Sequence, residues 1–289
     1  MSVHILADSA SDLPLSFYKE YNVTFIPLKV HLDGKDYDDL KGITPDEVFS
    51  AMKEGKTPKT SQPSVDYVIQ IFTEFAATKK SGIYFAFSSE LSGTYQTAVM
   101  ALAQVKEEYP ELDLEIIDTK GASLGYGQVV RYAAEQALKG AAKDTIIKEA
   151  VFRSKHMEHL FTVDNLEYLA RGGRISKASA FFGGLLNIKP FLNVEDGKLV
   201  PLEKIRGKKK LLKRVIEVMG ERGDRISEQS IAICHADAEE TALEWKEAII
   251  EEYGVKEVYI NTIGSSIGAH VGPGTLGVFF LNELPSSSS

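Results

Sequence analysis

Cysteine is nearly missing from this chain of 289 residues, with Cys234 its single copy. A disulfide framework within the chain is therefore excluded, and a reducing cytoplasm is the natural compartment. Long apolar runs are missing as well. No stretch approaches the ~20 residues needed to span a bilayer. Met1 to Asp8 has no basic segment ahead of an apolar one, so it reads as a first strand and not as a secretion signal. Positive charge is in the minority: 33 Lys and Arg stand against 41 Asp and Glu, for a net charge of -8. Broad nucleic-acid binding needs a basic face to neutralise phosphates, so nucleic acid is not an expected partner.

Enzyme signatures are scarce too. The Walker pattern G-x-x-x-x-G-K-[ST] does not occur, and no nucleophile elbow is expected. Gly272-Pro273-Gly274-Thr275-Leu276-Gly277 matches G-x-G-x-x-G in letters only. A dinucleotide site needs a strand before it, a helix after it and an acid ~20 residues on. Here Val278-Phe279-Phe280 reads as a strand instead. His156 and His159 have the spacing of one helix face but lack the acid of an H-E-x-x-H motif, so they read as surface or core histidines. Cys234 lies among apolar residues and reads as buried and inert, and nothing pairs it with His235. No metal or cofactor is implied.

What is present is a strand–helix rhythm. Hydrophobic residues make up 44% of the chain, enough for a sizeable core. In the first half, strands are expected at Val3–Ala7, Val23–Leu32, Gly82–Phe87 and Leu112–Ile117. Helices are expected after Asp12-Leu13-Pro14, with Asp12 as the N-cap, after the capping box Thr44-Pro45-Asp46-Glu47, after Ser64, from Gly93 to Glu107 and from Gly127 to Leu138. Such alternation predicts a parallel sheet covered on both faces, an α/β domain of three layers. A linking helix is expected over Thr145–Lys155. The second half has hairpin signals, Glu195-Asp196-Gly197-Lys198 above all, mixed with helices around Lys208–Met219 and Glu239–Glu252. That combination predicts a mixed sheet. The expected domains are 1–150 and 151–285, with Ser286–Ser289 a disordered tail.

Three segments rich in hydroxyls and glycine point to one anion site: Thr60 to Ser64, Ser88 to Thr94, and Gly268 to Gly274 with His270 inside it. Two of them precede helix N-termini, where backbone N–H groups favour an anion. Taken singly, Ser64 and Ser92 read first as helix caps, and His270 reads equally well as a loop residue. Ser61, Ser88 and Ser89, which no cap requires, favour a site. The basic run Lys204, Arg206, Lys208, Lys209, Lys210, Lys213 and Arg214 reads either as a solvated helix face or as a docking patch.

Together these motifs resemble the DegV family over essentially the whole chain. The resemblance rests on Asp8-Ser9-Ala10-Ser11-Asp12-Leu13-Pro14, Thr60-Ser61-Gln62-Pro63-Ser64 and Ser89-Glu90-Leu91-Ser92-Gly93-Thr94-Tyr95-Gln96. It continues through Leu166 to Ile175 around Arg171-Gly172-Gly173-Arg174, Leu185-Leu186-Asn187-Ile188-Lys189-Pro190 and Gly268 to Gly274. It implies a bacterial, cytoplasmic, monomeric lipid-binding protein of two α/β domains with a long-chain fatty acid between them, and no catalysis of its own. It also implies a partner in phospholipid metabolism: the catalytic subunit of a fatty-acid kinase, to which the acyl carboxylate is presented. By the same resemblance, Thr60 or Ser61, Ser92 and His270 would hold the carboxylate. Arg174 would lie near the head group or incoming phosphate, and Arg206 would face the kinase subunit. The alternatives are an enzyme acting on a small phosphorylated or carboxylated metabolite, and an interaction module built on the basic helix.

Overall fold

The computed structural model describes residues 3–175 and 188–285. The expected tail Ser286–Ser289 and the motif residues Leu185-Leu186-Asn187 lie outside the described residues.

In the first half, strands β1 (His4–Asp8), β2 (Thr24–Ile26), β6 (Gly82–Ala86) and β7 (Leu114–Asp118) form a parallel sheet in the order β2-β1-β6-β7. β6 is buried at every position, as expected of a strand covered on both faces. Its side chains alternate between two cores. Tyr84 and Ala86 pack with Val68 and Phe72 of α3 (Val65–Ala77) and Ala98 of α4 (Thr94–Glu108). Ile83 and Phe85 pack with Val129 and Val130 of α5 (Ser123–Leu138) and Ile146 of α6 (Lys143–His156). These are the three layers expected.

Two local readings are corrected. Val23–Leu32 is not one strand: the chain leaves β2 before Pro27 and re-enters as β3 (Lys29–Leu32). β3 pairs antiparallel with β4 (Lys35–Asp38) across the expected Asp33-Gly34 turn, and with β5 (Lys59–Ser61). Proline has no N–H to give a ladder, which explains the break. Asp12 does not cap α1 (Leu15–Glu20), whose N-cap is Pro14. It sits at a left-handed φ of 53° at the end of a short 3₁₀ turn, Ser9–Ser11. Its carboxyl is buried, accepting from Ser123 Oγ at 2.5 Å and from Gly264 N–H at 2.9 Å. The capping box at α2 (Pro45–Lys53) and the Ser64 cap of α3 form as expected.

α6 passes through residue 150 without a break and leads directly into the second half. There β8 (Met157–Thr162), β9 (Ile188–Glu195), β10 (Lys198–Arg206), β11 (Ser230–His235), β12 (Glu257–Thr262) and β13 (Leu276–Leu281) lie in the order β10-β9-β8-β13-β11-β12. β11 and β12 pair in parallel and the remaining neighbours antiparallel, so the sheet is mixed. One face carries α8 (Lys208–Arg222) and α9 (Glu239–Tyr253), where Val215 and Trp245 pack on Leu160, Ile233 and Val278. The other face shares a continuous core with the first half: Phe161, Ala232, Cys234 and Phe279 cluster with Val129, Phe85 and Leu124. Two short helices complete this junction, α7 (Leu166–Arg171) and α10 (Ser265–Val271). His156 ends α6 and His159 lies in β8, so the two histidines do not share a helix face.

Candidate functional site

The junction encloses a narrow cavity, partly open to solvent, with about 80 Å³ of room for the centres of water-sized spheres. Most of its lining is apolar, with Phe87, Leu91, Phe161, Leu199 and Phe279 among the larger side chains. Five of the six residues singled out in the sequence line it: Thr60, Ser61, Ser92, Arg174 and His270. Arg206 does not; it stands exposed at the end of β10.

Of the five, Thr60 and His270 bond to each other, and the other three are held by neighbours outside the group. β5 brings Thr60 and Ser61 to the rim, and Thr60 Oγ1 lies 2.6 Å from His270 Nε2. His270 belongs to the last turn of α10, so the glycine-rich segment is helical up to Val271 and not the loop expected. Gly172 packs on the imidazole: a Cβ there would lie 2.3 Å from His270 Nδ1. Gly272 ends α10 at φ +75°, and a Cβ there would lie 2.3 Å from the Tyr168 ring, so glycine is required on both counts. Arg174 donates from Nε to the Leu91 carbonyl at 3.1 Å and from Nη1 to the Gly172 carbonyl. It thereby ties the Ser92 loop to the end of α7.

Protonation sets what each group can offer. Burial, helped by the Arg174 charge, pushes the His270 imidazole down to about 4, so it is neutral at physiological pH. With the proton on Nε2 it donates to Thr60 Oγ1, and the Thr60 hydroxyl hydrogen is free to turn into the cavity. Ser61 is held differently. Its Oγ lies 2.9 Å from His31 Nε2, and His31 Nδ1 faces Asp36 at 2.6 Å. The carboxylate orients the His31 ring with Nδ1–H toward Asp36 and Nε2 toward Ser61. Ser92 Oγ lies 2.8 Å from Thr94 Oγ1, and either hydroxyl can be the donor. Burial lowers the Arg174 pKa from its ordinary value.

The neighbouring serines have structural duties instead. Ser88 Oγ donates to the Gly197 carbonyl at 2.9 Å, and Ser89 Oγ accepts from Lys120 at 2.7 Å. Their presence, which favoured a site in the sequence, is explained by anchoring the loop to the β9–β10 turn and to Lys120. In the basic run, Arg214 pairs with Glu203 and Glu221 across its own helix and β10.

The sequence reading missed three features. Gly121-Ala122-Ser123-Leu124-Gly125 has the letters of a nucleophile elbow and its strand–turn–helix setting, between β7 and α5, with Ser123 at φ 53°. The expectation that no such element occurs is corrected. Ser123 Oγ is nonetheless committed to Asp12, and no histidine bonds to it among the described residues. Cys234, expected to be merely inert, and His159 also line the cavity. Burial raises the Cys234 thiol to about 12, which fits low reactivity. Finally, three buried carboxyls, Asp8, Asp12 and Asp39, gather beneath α10, raised by burial to about 7, 8 and 6. Ser9 donates to Asp39 at 2.7 Å.

Comparisons with known proteins agree on one family. The model of the DegV family matches residues 2–283. A DegV domain-containing protein of Clostridium perfringens is 40% identical over 282 residues, 96% of this chain and 97% of that one. Among solved structures, a DegV family protein of Thermus thermophilus described for its fatty acid binding superposes with a TM-score of 0.89 at 32% identity, over 96% of this chain and 99% of that one. DegV of Bacillus subtilis, described as a fatty acid binding protein, gives 0.85 at 30% identity over 96% and 98%. Among the described residues no helix is long and apolar enough to cross a membrane. Matched in sequence and in fold along nearly its full length, the chain belongs to the DegV family.

Proposed function

We propose that this protein binds a long-chain fatty acid with its acyl chain buried in the junction cavity, its carboxylate held by Thr60 or Ser61, Ser92 and His270, and Arg174 near the head group. The observation that carries the reading is their convergence on a largely apolar cavity. Its plausibility is raised by the fatty acid binding described for the Thermus and Bacillus proteins.

The energetics suit a carrier. Burying a sixteen-carbon chain at ~0.8 kcal/mol per CH₂ supplies on the order of 12 kcal/mol before association costs. Hydroxyl contacts to a carboxylate add roughly 1.5–3 kcal/mol each, gross of desolvation. The chain then provides most of the affinity and the hydroxyls fix orientation. Neutral donors leave carboxylate oxygens nucleophilic, which a tight arginine fork would not.

The finer part of the reading is presentation to a separate kinase subunit. It is supported by an outward cleft that shares Thr60, Arg174 and His270 with the cavity and adds Lys56, Lys59 and Arg171. An anionic phosphoryl donor approaching that cleft would meet four cations beside the carboxylate. The carboxylate oxygen would take the phosphoryl group and a nucleoside diphosphate would leave. Arg206, exposed on β10, would face the kinase subunit. The protein would act as a cytoplasmic monomer and perform no chemistry itself. Organic extraction of the purified protein followed by mass spectrometry tests the core claim. A co-purifying fatty acid, rebound after delipidation, is expected; protein that neither carries nor rebinds one refutes it.

A further inference from the structure

The wall opposite the head group carries a polar atom that fatty-acid binding does not require. His159 projects from β8 on the same face as Phe161, four residues before Val163, where the chain leaves the strand toward α7 and the head-group cluster. At ~3.3 Å per residue, that places it ~13 Å back along the strand. The residue is 4% exposed and lines the cavity. Its Nδ1 lies 3.0 Å from the Met157 carbonyl, and a carbonyl can only accept, so Nδ1 holds the proton. Nε2 is then a bare acceptor, and it has no hydrogen-bond partner among the described residues. Burial pushes the imidazole down to about 4, so the ring does not escape this state by taking a second proton near neutrality.

The ring is held in place closely. Its edge rests on Gly125, where a Cβ would lie 2.3 Å from Nε2, and on Gly121, where the distance would be 3.1 Å. The Phe279 ring packs against it edge to face at 5.4 Å. His159 and Val194 also line an outward cleft that contains Ser154, whose Oγ is likewise buried without a partner. A cavity end built only for a terminal methyl would be closed by aliphatic side chains, since a buried acceptor with no donor is disfavoured.

We propose that the far end of the cavity selects acyl chains bearing a hydroxyl in their distal half, with that hydroxyl donating to His159 Nε2. The inference rests on the fatty-acid reading and names its ligand class more narrowly. A chain hydroxyl supplies the one donor the imidazole lacks, and Ser154 lies behind the same wall. A plain chain leaves the acceptor unsatisfied.

The test is a set of eighteen-carbon acids, unsubstituted or with one hydroxyl at successive positions along the distal half, titrated against delipidated protein. At one position the hydroxy acid should bind about tenfold more tightly than the unsubstituted acid. His159→Phe should abolish that advantage, read as the ratio of the two affinities in the same variant. A second readout needs no variant: the imidazole ¹⁵N resonance of His159 Nε2 should shift on adding the favoured hydroxy acid and not the plain one. If plain acids bind and no hydroxylated position gains affinity or moves that resonance, this inference is wrong and the carrier reading stands. If no acid of either kind binds, the carrier reading fails, and this inference with it.

Discussion

The two ends of the cavity are built on opposite principles. At the head-group end the side chains singled out already have protein partners: Thr60 with His270, Ser61 with His31, Ser92 with Thr94, and Arg174 with two carbonyls. A ligand there competes with or reorients existing bonds, and the site retains its shape without it. At the far end His159 Nε2 has none. If the cavity holds an acyl chain as proposed, preorganisation at one end and an unmet acceptor at the other would make orientation and selection of the chain separate tasks.

The largest effect should come from breaking the head-group end. His270→Ala removes the partner that leaves the Thr60 hydroxyl free to donate. Affinity for a fatty acid should fall about 10- to 100-fold, the loss of one hydrogen bond to a charged group, while affinity for the matching fatty alcohol should stay nearly constant. Calorimetric titration of both ligands checks this, and equal losses would contradict the division of tasks. Next in size is an insult to the far end. Gly125→Ala drives a methyl into the His159 ring and should cost about 1–3 kcal/mol of stability. It should also shift the preferred chain length while sparing carboxylate contacts, which chemical denaturation and a chain-length series would reveal.

The smallest effect concerns the floor beneath α10. Asp8, Asp12 and Asp39 have pKa values raised above the unfolded carboxyl value, so the native state binds more protons than the unfolded one. Their contribution to stability is full below about pH 4 and is lost as pH rises through about 6 to 8. His159 and His270, lowered to about 4, act in the opposite sense: their contribution is present above about 6.5 and lost as pH falls toward about 4. Asp12→Asn should flatten the decline between pH 6 and 8 by up to about 2 kcal/mol, because an amide does not ionise, accepts from Gly264 and can donate to a turned Ser123 hydroxyl. An unchanged melting profile over that range would show that Asp12 does not carry the dependence.

Much of the fold was legible because strand and helix periods are local. The Thr44–Glu47 capping box, the Ser64 cap and the Asp196-Gly197 turn each state their geometry within four residues. Asp12 misled for the same reason: it has a cap's sequence, but its partners are Ser123 and Gly264, more than a hundred residues away. The segment around His270 read as a loop since glycine is a poor helix former, yet burial against Phe49 and Tyr168 overrides that preference. The head-group residues were readable as hydroxyl clusters. His159 was not, because a histidine in a strand acquires meaning only from what surrounds it: one glycine on α5, another just before it, and a strand that the chain completes much later.

That last strand has a consequence for how the protein comes into being. β13 lies between β8 and β11, at the centre of the second sheet, and α10 just ahead of it delivers His270. During synthesis the chain emerges with β8 and β11 unable to be joined until residues 276–281 arrive. The cavity cannot be closed before then, since one of its walls and its head-group imidazole come from that same late segment. A nascent chain would therefore expose apolar faces of both halves until its final stage. Any capture of a ligand in that cavity is then an event of the finished molecule.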